Sequence, residues 1–142
     1  GTADNWVQGG LVVYQGELFV GTNNLATGGQ VWKYDGTTWT QVVADGFGNT
    51  NLESLLVFGG DLYVGAGNDT SGMEVWRLSG GSPEQVSIEG FGDSNNGSSL
   101  WCNAQTVFNG HMYWGTWNSA NGGEVWRFDQ CHSSVFLPLT IR

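Results

Sequence analysis

Short apolar runs alternate with glycine-rich polar stretches along the whole chain. Leu11–Tyr14 is one such run, closed by a turn at Gly16. ELFVGT (17–22) follows, rich in the β-branched and aromatic residues that suit a pleated strand. A polar, glycine-rich loop leads to QVWKY (30–34). DGTTW (35–39) then reads as a hairpin turn and WTQVV (39–43) as a fourth strand. No segment sustains an apolar stripe at the helical period. The pattern therefore predicts a meander of four antiparallel strands.

That meander is written three times. Val31-Trp32, Val75-Trp76 and Val125-Trp126 recur at 44 and then 50 residues. VYQGELFVGT (13–22), VFGGDLYVGA (57–66) and VFNGHMYWGT (107–116) keep the same two spacings, and DGFGN (45–49) matches EGFGD (89–93). The second unit carries the extra residues, in DSNNGSSLWCNA (93–104). A period of this size marks a repeat architecture, in which one unit cannot bury its own faces and neighbours must stack. The consecutive apolar pair Val-Trp agrees, because a strand covered on both faces can be apolar on both sides.

The repeated motif is G-x-x-N-x-x-x-G-x-[QE]-V-W-[KR], running from Gly21 to Lys33, Gly65 to Arg77 and Gly115 to Arg127. On this motif nearly the whole chain resembles β-propeller proteins, especially the repetitive kind found in secreted bacterial proteins. The resemblance implies an all-β propeller of four-stranded antiparallel blades, at about 11–54, 55–104 and 105–142, preceded by a closing segment over 1–10. The motif departs from Kelch blades, which carry a double glycine after the second strand where this chain has Gly-Thr or Gly-Ala. DGTTW resembles a sialidase Asp-box with altered spacing, and the other two units lack it. Closed propellers have four to eight blades, so three would leave large apolar faces exposed. The expectation is closure by assembly: six blades as a homodimer, or nine as a homotrimer. SSVFLPLTIR (133–142) occupies the place of the last fourth strand, where Pro138 suits an edge. DNWVQ (4–8) is expected to pair at the other edge.

Composition narrows the function. Four basic residues against thirteen acidic ones give a net charge of −9. That balance excludes displacement of counterions from nucleic acid and disfavours an anionic membrane surface. No apolar run is long enough to span a bilayer as a helix. The chain opens at Gly1, which suits a mature form or a piece of something longer. Cys102 and Cys131 would suit one disulfide in a secreted protein. Blade geometry puts them on opposite faces, however, so they are expected to be unpaired or paired between chains unless the C-terminal segment departs from that geometry.

The candidate chemistry lies on the face where the 2–3 loops meet the connections between units. TNNLATGG (22–29), GNDTSG (67–72), TWNSANGG (116–123) and GFGDSNNGSS (90–99) offer amides and hydroxyls with little charge, which suits a neutral polyol. Asn24, Asn68 and Asn118 recur at one place. They read either as ligand contacts or as side chains capping a turn. Trp101, Trp114 and Trp117 break the repeat, and an indole offers a flat apolar plane for stacking a sugar. Trp101, Trp117 and Asn118, with Asp93 and Asn95, form the sharpest candidate site. Their plain reading is the plugging of a gap left by the insertion. Lys33, Arg77 and Arg127 read as interblade ion pairs. No catalytic residue, cofactor or metal is expected. Only two histidines exist, no zinc pattern occurs, and DGFGNTNLE (45–53) lacks EF-hand spacing. The sequence thus predicts a secreted or cell-surface, lectin-like binding module that is not an enzyme. A structural or protein-interaction scaffold is the alternative.

Overall fold

The computed structural model describes residues 4–7, 10–67, 70–97, 104–128 and 136–139. It is all-β, with three four-stranded antiparallel sheets, each a meander in chain order. Sheet 1 holds β1 (Leu11–Tyr14), β2 (Glu17–Gly21), β3 (Val31–Tyr34) and β4 (Trp39–Val43). Sheet 2 holds β5 (Asn51–Phe58), β6 (Asp61–Gly67), β7 (Glu74–Leu78) and β8 (Glu84–Gln85). Sheet 3 holds β9 (Gln105–Phe108), β10 (His111–Gly115), β11 (Val125–Phe128) and β12 (Phe136–Leu139). The second unit begins earlier than the repeat spacing predicts: β5 starts at Asn51, and a register shift between Asn51 and Ser54 absorbs the extra length.

The three units share one register. Val20 lies opposite Trp32, Val64 opposite Trp76 and Trp114 opposite Trp126. Gln15-Gly16, Gly59-Gly60 and Asn109-Gly110 make the tight β1–β2, β5–β6 and β9–β10 turns with both residues at positive φ. This is the twist that a two-residue hairpin requires. Pro138 sits opposite Trp126 in the edge strand β12, where its missing N–H is tolerated.

Side chains alternate between the two faces of a strand. The trailing face of sheets 1 and 2 is the one packed on the next sheet, and the leading face of sheets 2 and 3 is the one packed on the sheet before. The same names are given to the equivalent faces of sheets 3 and 1. Tyr14, Phe19 and Val31 on the trailing face of sheet 1 pack with Leu55, Leu62, Val64 and Leu78 on the leading face of sheet 2. Phe58, Tyr63 and Val75 on the trailing face of sheet 2 pack with Met112, Trp114, Trp126 and Phe128 of sheet 3. The Val-Trp pair thus serves both faces: Val31 and Val75 trail, while Trp76 and Trp126 lead. The core lies between sheets.

Trp114 belongs to this core at 1 % exposure. It lies against the bare backbone of Gly65, where a Cβ would stand 2.7 Å from its ring. Lys33 and Arg77, expected to pair between blades, pair within their own sheets. Lys33 bonds Glu17 on the adjacent strand at 2.9 Å, and Arg77 bonds Glu84 and lies 3.9 Å from Asp61. Of the remaining expectations, those on Cys102 and Cys131 lie outside the described residues.

Candidate functional site

The 2–3 loops and the segments entering each sheet meet at one end of the molecule, held by a polar latch that repeats. In sheet 1, Asn5 Nδ2 and Trp32 Nε1 both donate to Gln30 Oε1, at 3.0 and 2.9 Å. In sheet 2, Asn49 Nδ2 and Trp76 Nε1 donate to Glu74 Oε2, at 3.1 and 2.9 Å. In sheet 3, Asn96 Nδ2 and Trp126 Nε1 donate to Glu124 Oε2, at 2.9 and 3.1 Å. An acceptor two residues before the tryptophan lies on the same strand face as the indole, so its oxygen reaches the ring N–H. Buried polar groups need partners, and here the entering segment supplies the second donor.

The recurrent loop asparagines complete this latch. Asn24 Oδ1 accepts from the backbone N–H of Ala26 and Thr27, both at 2.9 Å, while its Nδ2 donates to Asn5 Oδ1 at 2.6 Å. Asn118 Oδ1 accepts from Ala120 and Asn121, and its Nδ2 donates to Asn96 Oδ1 at 3.0 Å. Each therefore shapes its own turn and ties it to the entering segment. Both are buried and bonded at both ends of the amide. Asn68, at the same place in the second unit, lies outside the described residues. Asn49 Oδ1 is buried and has no partner among the described residues.

Sheet 3 carries a further cluster, centred on Asp93. Asp93 Oδ1 accepts from the backbone and side-chain N–H groups of Asn95, at 2.9 and 2.8 Å. Asp93 Oδ2 accepts from Asn118 Nδ2 at 3.0 Å and Asn121 Nδ2 at 2.9 Å. These donors favour the charged form. The backbone N–H of Asn95, followed by the Asn121, Asn95 and Asn118 amides, holds the Asp93 carboxyl down at about 2. The carboxylate thus pins the connection over 93–97 to the loop over 117–121.

Trp117 stands on that pinned loop. Its backbone N–H donates to the Gly97 carbonyl at 3.2 Å, and the residue is 57 % exposed. The equivalent residue in sheet 1, Asn23, is 5 % exposed. The structure thus gathers Trp117, Asn118, Asp93 and Asn95 on two adjoining segments. Asn24 stands apart in the β2–β3 loop of sheet 1, and Trp101 lies outside the described residues. Asn121, absent from the predicted set, belongs to the cluster. The latch acceptors Gln30, Glu74 and Glu124 and their donors Asn5, Asn49 and Asn96 also escaped prediction. The unvarying Gln or Glu before Val-Trp was their one signal. Among the described residues no group of three His, Cys, Asp or Glu is placed to hold a metal ion.

Comparison with known proteins finds no match: no family model fits this sequence, and no curated protein or solved structure is significantly similar to it.

Proposed function

We propose that this chain is a non-catalytic extracellular binding module of lectin-like character that takes neutral carbohydrate at the loop end of sheet 3. The observation that carries the reading is the exposed Trp117 indole on a loop fixed by Asp93. An open indole offers its face to sugar C–H groups. Its loop does not have to be ordered on binding, which removes a common cost of association. Asn95 and Asn121 lie exposed on the same two pinned segments and supply amides for hydroxyls. Asp93, Asn118 and Asn24 position loops in this reading, while Trp101 and Asn68 remain candidate contacts by sequence.

The three sheets are read as blades of a β-propeller that two copies complete as six, with three copies and nine blades as the less economical ring. The protein then acts as a secreted or cell-surface module. A second reading, a scaffold without a small-molecule ligand, draws on one observation: the Asn24 and Asn118 amides are taken up internally. Titration calorimetry with neutral oligosaccharides separates the two. The lectin reading expects Trp117→Ala to abolish binding with circular dichroism and molar mass unchanged. Absence of heat from every neutral oligosaccharide with the intact chain rejects it.

A further inference from the structure

The two intersheet interfaces are built alike. Each trailing face presents an aromatic pair across the first hairpin, Tyr14–Phe19 in sheet 1 and Phe58–Tyr63 in sheet 2, with ring centroids 5.5 and 6.3 Å apart. The following sheet covers that pair, and Phe128 packs on Tyr63 at 6.0 Å. Each connection also sends a phenylalanine over the next sheet's tryptophan. Phe47 stacks on Trp76 at 4.3 Å, and Phe91 stacks on Trp126 at 5.1 Å.

Two faces remain outside this scheme. Sheet 3 presents the same aromatic pair, Phe108–Tyr113, at the same 6.3 Å separation. Yet Phe108 is 61 % exposed where its equivalent Phe58 is 8 %. On the leading face of sheet 1, Leu11 is 63 % exposed where its equivalent Leu55 is 4 %, and Val13 is exposed as well. A groove of about 450 Å3 runs over this leading face, lined by Leu11, Leu18, Val20, Trp32 and Trp39. Among the described residues no ring stacks on Trp32.

We infer that the leading face of sheet 1 receives the trailing face of sheet 3 from a second copy of this chain, head to tail, as a third instance of the interface built twice within the chain. The inference rests on the blade reading above and adds which surfaces meet. The two faces are the unmatched halves of an interface whose other examples are both present, so their shapes and apolar character correspond. Tyr34 of one copy falls on Tyr113 of the second, as Phe128 falls on Tyr63. The interface is heterologous, and two copies with one contact of this kind at each junction close a ring.

Light scattering on the whole chain, on Val13→Asp and on Phe108→Asp tests this. Both side chains are exposed in the single chain, so folding is expected to survive; Leu11→Glu repeats the test on the leading face if Val13→Asp does not fold. The wild type is expected at twice the chain mass of 15.3 kDa. Each variant alone is expected to be monomeric at the same concentration. An equimolar mixture is expected to regain dimer, because the leading face of Phe108→Asp and the trailing face of Val13→Asp are intact. A wild-type trimer also supports the docking, with a larger ring. A monomeric wild type overturns the inference. So does dissociation by Val13→Asp with no effect of Phe108→Asp, which means face-to-face pairing. Oligosaccharide binding is read on the same samples. Neither substitution touches the Trp117 loop, so loss of association with retained binding, or the reverse, tells which of the two proposals fails.

Discussion

Phe47 and Phe91 hold φ at 57° and 54°, a region that bulky residues avoid at a cost of about 1–3 kcal/mol. The same strain at the same place in two units has a common cause: each ring is thereby turned onto the tryptophan of the next sheet. Phe91, buried against Trp126, shows the balance. Phe91→Ala removes the stack and keeps the strain, and is expected to cost about 3 kcal/mol. Phe91→Gly removes both. It is expected to be the milder change by about 1 kcal/mol, reversing the usual order of alanine and glycine. Urea denaturation of the two variants checks the order; a more stable Phe91→Ala refutes the account. Asp93 makes a second prediction at this scale. Its folded-state carboxyl sits at about 2, below the ordinary 3.8, so the folded state binds the proton more weakly than the unfolded chain. The stability it contributes is complete above about pH 4 and is lost as pH falls through about 2. The Asp35 carboxyl, held low by the backbone N–H groups of Thr38 and Thr37, acts in the same direction. Asp93→Asn is therefore expected to flatten, without abolishing, the fall in melting temperature between pH 4 and pH 2.

The elements interlock through glycine, and the repeat supplies its own control. Gly28, Gly72 and Gly122 occupy one motif position with φ of 89°, 92° and 90°. A Cβ on Gly72 would stand 2.5 Å from Gly90 Cα, because the connection over 89–92 seats on this loop. A Cβ on Gly122 would meet nothing within 4 Å. Gly122→Ala is expected to cost only the left-handed backbone penalty, about 1 kcal/mol. Gly72→Ala adds a clash with backbone and is expected to cost about 3 kcal/mol. Equal losses in thermal denaturation would mean that the loop and the connection do not lock together. Such contacts mark the limit of what the sequence shows. The strands, their tight turns and the two-sided Val-Trp pair are legible, because periodicity and turn chemistry are local. The first strand of sheet 2 is misplaced by a few residues, since its register shift depends on the connection before it. The latch is invisible because its donor and acceptor stand 25 to 28 residues apart, as with Asn49 and Glu74 or Asn96 and Glu124. A repeat reveals which positions are equivalent without revealing which of them meet. For the same reason Trp114 and Trp117 look alike as departures from the pattern. One faces Gly65 in the core, and the other stands in solvent on the candidate site.

At the scale of the whole molecule, the proposed assembly makes stability depend on concentration. A dimer that unfolds to separated chains gains stability by mass action, about 1.4 kcal/mol per tenfold rise in concentration. For a unit of this size that corresponds to a rise in melting temperature of about 2 °C per tenfold. Val13→Asp and Phe108→Asp are each expected to abolish the slope. Salt adds a sign. The residues named at the docking faces are apolar or aromatic, while each copy carries a net charge of −9. Two such copies repel one another, and added salt screens that repulsion. Association is therefore expected to tighten as sodium chloride rises from 20 to 300 mM (about 20 and 6 Å of screening length). An assembly held by ion pairs between copies responds in the opposite direction. Weakening by salt in a dilution series followed by light scattering would thus shift the interface from the Leu11 and Phe108 faces to charged surfaces elsewhere on the sheets.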